Sequence, residues 1–373
     1  MRRMRVLQLT SHLNVGGITT YVVRLSEGLQ ARGHQVIIAS DAGLLSERVA
    51  RAGVTQWRVP LQTSAECSLA VARTVWRVRR HLLDEPVDLI HAHTRVAQVA
   101  AQALWRRTGL PYVTTWHGFY RRRLGRRLWP CTGRLTIAIS EPVARHLREV
   151  FRVPPDRIRL IPHGIETARF AQPVEAREQQ PFREQVGLVH GGPVIGTVAR
   201  LVESKGVAPL LASLREVLAQ IPQATLLIVG DGDDRARLER LAAQQGLAHA
   251  VRFAGSLPDT RVALSVMDLF VFLPATQEGF GLSLLEAMAS ARPIVAIRRG
   301  GGAPWVLEEA GVGVLVEPDD PHRLAEALVQ VLRDPARARA LGAQAQAIAQ
   351  ARYDDARMIT QVEQVYGEAI RPR

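Results

Sequence analysis

Short apolar runs alternate along this chain with segments of helical periodicity. In the first half the apolar runs are RVLQLTS (5–11), HQVIIAS (34–40), DLIHAH (88–93), YVTTWH (112–117), LTIAIS (135–140) and IRLIPHG (158–164). Because these runs are continuously apolar and do not alternate with polar residues, they indicate strands buried on both faces, as in a parallel sheet covered by helices. Amphipathic segments such as 18–33, which ends at Gly33, predict the helices between the strands.

The alternation of strands and helices is interrupted once and then begins again. Residues 166–190 are polar and contain Pro173 and Pro181, which predicts a connection between two domains. The second series of apolar runs is PVIGTVAR (193–200), TLLIVGDG (225–232), VRFAGS (251–256), LFVFLPA (269–275), PIVAI (293–297) and GVLVE (313–317). We therefore predict an α/β protein of two doubly wound, Rossmann-like domains that face each other across a cleft, with ligands at the carboxyl ends of the strands.

Length and composition agree with this division into two domains. The chain has 373 residues, of which 47% are hydrophobic and 22% charged, as in soluble globular proteins. We place the first domain at 1–170, a linker at 171–190, the second domain at 191–352 and a terminal helical segment at 353–373.

The sequence also indicates a compartment. The first apolar run stops at Thr10, which is too short for a secretory signal and predicts a buried strand. No run approaches the roughly eighteen apolar residues of a membrane span. The two cysteines, Cys67 and Cys131, form no disulfide framework and have no metal-ligand spacing. We therefore expect a cytoplasmic protein.

The positive charge is concentrated in the first half of the chain. Residues 1–180 contain 28 arginines against 13 acidic residues, whereas residues 181–373 contain 20 basic against 22 acidic residues. The densest basic cluster, hereafter the arginine segment, lies among aromatic residues and comprises Arg121, Arg122, Arg123, Arg126 and Arg127. Such a cluster suits an anionic membrane surface or a nucleic acid, and it is equally compatible with a solvated face that has no partner.

Lysine is almost absent, since 47 of the 48 basic residues are arginine and the exception is Lys205. An ammonium group differs from a guanidinium because it is a compact point charge on a flexible stem and can form Schiff bases. A position that keeps lysine against this bias is expected to need that chemistry, although lysine is also an ordinary surface residue. Lys205 is therefore a candidate functional residue.

One loop of the second half combines glycines with carboxylates. It consists of Glu278, Gly279, Phe280 and Gly281, and the helical segment that follows begins near Leu282 and contains Glu286. Glycines allow a ligand to approach closely, and the free amides at the start of a helix attract anions. Because carboxylates repel phosphate, Glu278 and Glu286 are better suited to accept hydrogen bonds from hydroxyl groups. The pattern indicates a diphosphate flanked by a ribose and a sugar; a tight turn with a surface glutamate is the simpler alternative.

Other candidates also follow predicted strands. They are Arg200 and Lys205, the pair Gly16-Gly17, His117-Gly118 and the glycine turn at 298–305. An arginine fork with a lysine point charge suits a diphosphate leaving group, because negative charge develops there as a glycosidic bond breaks. A histidine directly after a strand is equally often a structural residue. No Asp-x-Asp metal motif follows a strand, and the acidic residues at 231–234 are predicted to cap the next helix.

Taken together, these residues resemble glycosyltransferase family 4, the nucleotide-sugar-dependent transferases of GT-B fold. The segment EGFGLSLLEAMA (278–289) is similar to the family signature of two glutamates separated by seven residues, and ARLVESKG (199–206) to its diphosphate motif. Further segments that fit the family are NVGGITTYVVRLSEGLQARGHQV (14–36), DLIHAH (88–93), AISEPV (138–143) and LIPHGIE (160–166). The resemblance therefore covers nearly the whole chain.

The resemblance implies roles for individual residues. Donor phosphates would be held by Arg200, Lys205 and the amides of Gly281 and Leu282. Glu278 would bind hydroxyls of the donor sugar, Glu286 would bind the ribose, and His117 would lie beside the transferred sugar. The other implied donor-binding residues are Gly16, Gly17, Gly230, Gly279 and Phe280. The implied catalytic set is His117, Glu278, Arg200 and Lys205, and the last helix, from about Tyr353, would cross back to the first domain.

The sequence departs from the family pattern in two places. Thr19 stands where an acidic residue often follows the first glycine pair. Arg298 and Arg299 precede the late glycine turn, Pro304 and Trp305 follow it, and the first acidic residue there is Glu308, whereas family members often carry acids on both sides. The sequence therefore does not identify the donor, nor which residues of that turn contact phosphate.

The resemblance implies that a sugar moves from a nucleotide-diphosphate donor to a hydroxyl acceptor, with retention of anomeric configuration and without a metal or cofactor. We expect a lipid-linked or envelope-glycan acceptor in the first domain, and peripheral contact of the arginine segment with the inner face of the cell membrane. One alternative is a sugar phosphorylase, with Lys205 bound to pyridoxal phosphate, or a sugar-nucleotide epimerase on the same architecture. The other is a basic nucleic-acid-binding protein, against which the aromatic content of 5% and the acidic second half argue.

Overall fold

The structure, a computed structural model, describes residues 2–188, 191–299 and 301–371. It divides into two compact units: the first comprises the chain up to Gly164 together with the segment from Asp355 onward, and the second is Ile165–Asp354. Each unit contains one parallel sheet with helices on its faces. The predicted α/β class, with two doubly wound domains, is confirmed.

The first unit is built on a parallel sheet with the strand order β3-β2-β1-β4-β5-β6-β7. The strands are β1 (Arg5–Leu9), β2 (Gln35–Ser40), β3 (Thr55–Arg58), β4 (Leu89–Ala92), β5 (Tyr112–Trp116), β6 (Leu135–Ala138) and β7 (Ile158–Leu160). The helices between them are α1 (Gly17–Ala31), α2 (Ser46–Arg51), α3 (Leu69–Asp84), α4 (Arg95–Thr108), α5 (Leu124–Leu128) and α6 (Glu141–Glu149). The strand order reverses between β1 and β4, which opens a crevice at the carboxyl ends of these strands.

The faces of this sheet are covered by different helices. Every residue of β4, β5 and β6 is buried, which requires cover on both sides. Val6 of β1 belongs to a core that includes α1 and the last helix of the chain, whereas its neighbour Leu7 belongs to a core that includes α3 and α4. Successive residues of one strand therefore enter opposite layers, as the pleat requires.

The second unit repeats the same winding with the strand order β10-β9-β8-β11-β12-β13. Its strands are β8 (Val194–Val198), β9 (Thr225–Val229), β10 (Val251–Gly255), β11 (Leu269–Phe272), β12 (Ile294–Ile297) and β13 (Val314–Val316). Its helices are α7 (Thr167–Ala171), α8 (Ala176–Gln185), α9 (Val207–Gln220), α10 (Arg235–Gln244), α11 (Arg261–Ser265), α12 (Leu282–Ala289), α13 (Gly302–Ala310), α14 (Pro321–Arg333) and α15 (Pro335–Arg352). The order reverses between β8 and β11, and the loops after those two strands border the crevice.

The stretch between the two series of strands is more regular than its composition suggests. We predicted a connection at 171–190, but the structure has α8 there, inside the second unit and in contact with α11. Phe182 of α8 is buried, so the helix is held by one apolar anchor on an otherwise polar surface. Residues 189 and 190, the end of the predicted connection, lie outside the described residues.

The last helix returns the chain to the first unit. α16 (Asp355–Ile370) packs on α1, and its buried residues include Met358, Val362 and Tyr366. Its polar anchor is Glu363, which is 6% exposed. The carboxylate accepts a hydrogen bond from His34 Nε2 at 2.8 Å and pairs with the guanidinium of Arg32. The segment from Asp355 onward therefore belongs to the first unit although it follows the second in sequence.

One strand was not predicted from the sequence. β3 lies at the edge of the first sheet, and of its four residues only Trp57 is buried. An edge strand that is half exposed lacks the continuous apolar run by which the other strands were recognised.

In the ranges 2–188, 191–299 and 301–371, no helix has the length and apolarity needed to cross a bilayer.

We predict that Glu363→Ala lowers the free energy of unfolding of the first unit by about 3 kcal/mol, because it leaves a buried histidine and an arginine without their carboxylate. Denaturation followed by tryptophan fluorescence measures this, since five of the six tryptophans lie in the first unit.

Glu368 provides the matched control on the same helix. It pairs with Arg159 at 2.6 Å, but both side chains are more than a third exposed. Glu368→Ala should therefore change the free energy of unfolding by less than about 1 kcal/mol. Equal effects of the two substitutions would show that Glu363 does not anchor α16.

Candidate functional site

In the second unit, two predicted site residues are in direct contact. Lys205 follows β8 and Glu278 follows β11, the two strands between which the order of the sheet reverses. The Lys205 ammonium lies 2.5 Å from Glu278 Oε1, and both side chains are about a quarter exposed. The one lysine of the chain is therefore a charged group at the position where doubly wound sheets bind ligands.

The loops that carry these side chains pack backbone against backbone. Ala275 N donates to Ser204 O at 2.9 Å, and Gly302 N donates to Glu278 O at 2.8 Å. A Cβ on Gly206, which has φ +67°, would come within 1.9 Å of Leu273 O. A Cβ on Gly302 would come within 2.0 Å of Gly279 O. The glycines are therefore needed because the loops after β8, β11 and β12 approach one another more closely than a side chain allows.

Glu286 lies on α12 behind this loop. Its Oε2 accepts a hydrogen bond from Thr260 Oγ1 at 2.9 Å, and the residue is half-buried. α12 begins at Leu282 after Gly281, whose φ of +112° and close approach to the Phe272 ring exclude a side chain. The helix therefore begins directly after the loop that carries Glu278, so its first amides, which have no partner within the helix, lie at the end of this loop.

Arg200 lies on the exposed side of the loop after β8. Within the described part of the chain its guanidinium makes no hydrogen bond or ion pair. The start of its loop is fixed by Gly230, where a Cβ would lie 1.9 Å from Ala199 O. Ala199 N also donates to Val229 O at 3.0 Å. Gly230 therefore holds the backbone next to Arg200, and the side chain is available to an anion.

Not every predicted side chain of this unit is placed to contact a ligand. The ring of Phe280 is 2% exposed and packs near Tyr353 and Trp305, so a donor contact at this position would come from its backbone. Arg298 pairs with Glu308 and Glu317, and Arg299 pairs with Asp319 at 2.7 Å. Gly300, in the predicted glycine turn, lies outside the described residues.

The acidic residues after β9 do not cap their helix with side chains as we predicted. Asp234 is the N-cap of α10, but its side chain makes no capping hydrogen bond. Its carboxylate instead pairs with Arg237 at 2.5 Å. Across residues 2–188, 191–299 and 301–371, no group of three or more His, Cys, Asp or Glu side chains could hold a metal ion.

In the first unit, the predicted glycine pair begins a helix. Gly17 is the first residue of α1 and Gly16 is its N-cap, and both are exposed after β1. A Cβ on Gly16 would meet no atom within 4 Å, so open space surrounds this position. Thr19, at the position of a frequent family acid, is buried on the inner side of α1.

His117 belongs to a cluster of histidines that we did not predict. It directly follows β5 and is half-buried, and its Nδ1 lies 3.0 Å from His163 Nε2. Its Nε2 lies 3.4 Å from His93 Nδ1. The ring of Tyr21, on α1, is 4.8 Å from the rings of both His117 and His163. Their positions in the sequence could have indicated this cluster, because His93 follows β4 and His163 follows β7, just as His117 follows β5.

These histidines are held in the neutral form. Burial is the main cause that lowers the pKa of His117 well below its ordinary value, and the neighbouring rings of His163 and His93 lower it further. Burial alone lowers the pKa of His163 to about 3. Burial also lowers the pKa of His93 well below its ordinary value. The cluster therefore offers imidazole nitrogens, and no imidazolium, near neutral pH.

Not all arginines of the arginine segment are exposed and unpaired. Arg126 Nε pairs with Glu66 at 2.5 Å, and Arg95 pairs with the other oxygen of the same carboxylate at 2.9 Å. Burial opposes the shift, but the two guanidinium groups hold the pKa of Glu66 below its ordinary value. Arg126 therefore fixes α5 to the unit, whereas Arg121, Arg122 and Arg123 are exposed and Arg127 is half-buried.

Comparison with known proteins gives matches along most of the chain. The family "Glycosyltransferase Family 4" matches residues 15–169. The family "Glycosyl transferases group 1" matches residues 178–348. Relatives include a D-inositol 3-phosphate glycosyltransferase of Acidothermus cellulolyticus, 31% identical over 86% of this chain and 79% of that protein. Another is a phosphatidyl-myo-inositol mannosyltransferase of Mycobacterium leprae, 30% identical over 94% of this chain and 92% of that protein.

Solved structures support the same fold. A glycosyltransferase from Rickettsia africae has a TM-score of 0.88 at 19% identity and covers the whole of both chains. The HepE protein of Anabaena, in complex with UDP and glucose, has a TM-score of 0.86 at 22% identity over 98% of this chain and all of that one. Both families, the relatives at 30% identity or more and the two doubly wound sheets agree. The protein therefore belongs to glycosyltransferase family 4 and has the GT-B fold.

Proposed function

We propose that this protein transfers a sugar from a nucleotide-diphosphate donor to a hydroxyl acceptor with retention of anomeric configuration. The contact between Lys205 and Glu278 carries the proposal, because it puts a cation and a carboxylate side by side at the crevice of the second unit. A diphosphate is bound by a cation such as Lys205, and a sugar hydroxyl donates a hydrogen bond to a carboxylate such as Glu278. Membership of family 4 favours this reaction over a phosphorylase, an epimerase or a nucleic-acid-binding protein.

The donor is bound by the second unit in this proposal. Arg200, Lys205 and the first amides of α12 hold the diphosphate. Glu286, which Thr260 orients through a 2.9 Å hydrogen bond, accepts hydrogen bonds from the ribose. Glu278 accepts hydrogen bonds from the transferred sugar. Gly230 and Gly279 contribute by close backbone approach, and Gly16 and Gly17 stay in the donor-binding set that the family resemblance implies.

In the reaction, the bond between the anomeric carbon and the diphosphate oxygen breaks, and the acceptor oxygen forms a bond to the same carbon on the same face. The acceptor proton passes to the departing phosphate oxygen. Arg200 and Lys205 stabilise the negative charge that develops on the diphosphate, so no divalent metal is needed. His117 lies beside the transferred sugar. Full activity in a chelator would support metal independence, and activity restored only by a divalent ion would contradict it.

The acceptor is a lipid-linked molecule or an envelope glycan, bound by the first unit at the inner face of an anionic membrane. The name of the Mycobacterium leprae relative includes a phosphatidylinositol, and this supports a lipid acceptor. α5 supports membrane contact, because Leu124 and Leu128 are more than 70% exposed beside the arginine segment. Exposed apolar side chains among arginines match an anionic bilayer, which accepts both.

A second helix of the first unit has the same character. α3 exposes Leu69, Trp76 and Leu83, which are spaced seven residues apart and therefore share one face. Exposed arginines on the same helix are Arg73, Arg77, Arg79 and Arg80. α3 packs against α4, and Arg106 of α4 lies over the ring of Trp129 next to α5. We refer to the exposed faces of α3 and α5 as the basic apolar surface.

We predict that Lys205→Ala weakens the binding of the cognate nucleotide diphosphate about 100-fold, because it removes a charge-assisted hydrogen bond and leaves the Glu278 carboxylate uncompensated. Calorimetric titration with UDP, GDP and ADP, in the absence of metal, identifies the nucleotide and measures the loss. Lys205→Arg is the matched control, since it keeps the charge and should lose much less. Unchanged affinity in Lys205→Ala would contradict the donor site.

We predict that substitutions of the two glutamates have different effects on the affinity for the free nucleotide and on the affinity for the nucleotide sugar. Glu286→Gln should weaken both ligands about tenfold, because the ribose is common to them. Glu278→Gln should weaken only the nucleotide sugar, and the free nucleotide should bind as well or better because Lys205 is released. The same calorimetric titrations measure both ratios. Equal losses for both ligands in Glu278→Gln would show that Glu278 does not face the sugar.

We predict that replacing Arg121, Arg122 and Arg123 with serine weakens binding to phosphatidylglycerol vesicles at least tenfold, since each arginine contributes about 1 kcal/mol at an anionic surface. Replacing Leu69, Trp76 and Leu83 with serine should weaken binding at every salt concentration. Co-sedimentation measures both. The control replaces three exposed arginines of the second unit, Arg240, Arg337 and Arg339. If this control loses as much binding, or if oligonucleotides bind equally well, the membrane assignment is wrong.

A further inference from the structure

A cleft opens at the amino edge of the second sheet. Its lining comes from the residues that precede β8, β11 and β12 and from the corner between α14 and α15, and its volume is about 680 Å³. Lys205 and Glu278 instead follow β8 and β11, at the carboxyl edge of the same sheet. These two strands, of five and four residues, separate the two edges by roughly 15 Å. The cleft, hereafter the amino-edge cleft, is therefore distinct from the candidate donor site.

Close backbone contacts form the walls of the amino-edge cleft. Ala291, between α12 and β12, has a φ of +54°, which strains a residue other than glycine. A Cβ on Gly342 of α15 would lie 2.1 Å from Ala291 O, and a Cβ on Gly192 would lie 1.9 Å from Gln223 O. Backbone strain persists only where the surroundings enforce it, and it is frequent at ligand sites. The walls are therefore fixed by packing before any ligand binds.

Arg292 is a half-buried cation in the lining of this cleft. Its Nη1 donates to Met267 O at 2.7 Å, and its Nε donates to Ser290 O at 2.9 Å. Burial lowers the pKa of this guanidinium, which means that its charge is poorly solvated. Across the described ranges Arg292 forms no ion pair, whereas the buried Arg95 shares the carboxylate of Glu66. A poorly solvated cation without a carboxylate partner favours an anionic ligand.

The lining of the cleft carries an excess of positive charge. Its charged residues are Arg292, Arg333, Arg339 and Asp268, so three cations against one carboxylate leave two positive charges. Asp268 partly offsets the effect of burial on the pKa of Arg292, and its Oδ2 accepts a hydrogen bond from the backbone of β8 at 2.8 Å. Asp334, beside the lining, accepts a hydrogen bond from the backbone of α15 at 2.9 Å. Both nearby carboxylates are therefore bound to backbone amides.

Two of these arginines also bind the end of a helix. Arg292 binds the carbonyl of Ser290 after α12, and Arg333 Nη2 lies 3.4 Å from Gln220 O at the end of α9. Cations near the carboxyl ends of helices are stabilising, so these contacts alone do not require a ligand. Arg339, near the start of α15, makes no hydrogen bond or ion pair in the part of the chain that the structure describes. A contact with a helix end therefore does not explain Arg339.

The size and the apolar part of the lining indicate an organic ligand. Ile221, Pro293, Val331 and Leu332 line the same cleft. Its volume of about 680 Å³ lies in the range of small-molecule sites. A phosphate monoester carries a charge of roughly −1.5 to −2 near pH 7, which matches the excess positive charge of the lining. Guanidinium groups bind phosphate oxygens through two parallel hydrogen bonds. The ligand that fits is therefore an organic molecule with one phosphate group.

We propose that the amino-edge cleft is a second ligand site, which binds a small organic phosphate. Arg292, Arg333 and Arg339 bind the phosphate group, and Ile221 and Leu332 contact the carbon body of the ligand. Two carbonyls already fix Arg292, so binding orders only the two exposed arginines. A sugar phosphate and a nucleoside monophosphate share this chemistry. The proposal does not rest on the transfer reaction, since no residue of the candidate donor site lines the cleft.

Calorimetric titration at low ionic strength tests the site, with glucose 6-phosphate, adenosine 5′-monophosphate and inorganic phosphate as probes. We expect one of the two esters to bind about tenfold more tightly than inorganic phosphate, because the apolar lining contacts its carbon body. The preferred ester identifies the class of ligand. Arg339→Gln should weaken its binding about tenfold by removing a charge-assisted contact. Arg337→Gln is the matched control, since Arg337 is exposed on the same helix but does not line the cleft. It should change the affinity by less than about twofold.

Two further variants locate the bound ester. Arg292→Gln should weaken binding by about tenfold or more, and thermal denaturation checks that this variant is folded. If it does not fold, Arg339→Gln decides. Lys205→Ala should leave the affinity unchanged, because Lys205 lies at the opposite edge of the sheet. The proposal is overturned if neither ester binds, if inorganic phosphate binds equally well, or if Arg337→Gln loses as much affinity as Arg339→Gln. A loss in Lys205→Ala without a loss in Arg339→Gln would also overturn it, because the ester would then occupy the donor site.

Discussion

The candidate site of the second unit depends on close packing between loop backbones at the carboxyl edge of its sheet. The loops after β8, β11 and β12 share hydrogen bonds, and glycines stand where a Cβ would enter a neighbouring carbonyl. This packing brings Lys205 to 2.5 Å from Glu278 although they are 73 residues apart in sequence. A cation and a carboxylate in contact compensate each other, so neither has to be desolvated alone. The parallel sheet places these loops along one edge, and the glycines allow the loop backbones to approach each other closely.

The structure also shows which basic side chains form ion pairs with carboxylates of the chain and which are free to bind a ligand. Arg126, Arg298 and Arg299 each face a carboxylate of the chain and thereby stabilise local structure. Arg200 and the exposed residues 121–123 have no such restraint in the described part of the chain. A net charge of +13 therefore says little about function until the paired residues are set aside. Arg200 in the second unit and the exposed arginines of the basic apolar surface in the first are among the cations that remain.

The sequence predicted the strands with continuous apolar runs, since burial on both faces leaves a strong pattern. It also singled out Lys205 and Glu278 as candidate site residues, because a unique lysine and a glycine loop are visible locally. It did not predict β3, which is half exposed, or α8, whose single buried anchor is Phe182. The cluster of histidines around His117 could not be predicted, for a different reason. His93, His117 and His163 are 24 and 46 residues apart, and only the order of strands brings their rings together.

The two units place their candidate residues in opposite electrostatic environments. In the second unit, the Lys205 ammonium lies 2.5 Å from the Glu278 carboxylate, and both side chains are about a quarter exposed. In the first unit, burial and the neighbouring histidine rings lower the pKa of His117, which favours its neutral form. One environment therefore pairs a cation with a carboxylate, and the other disfavours charge by burial.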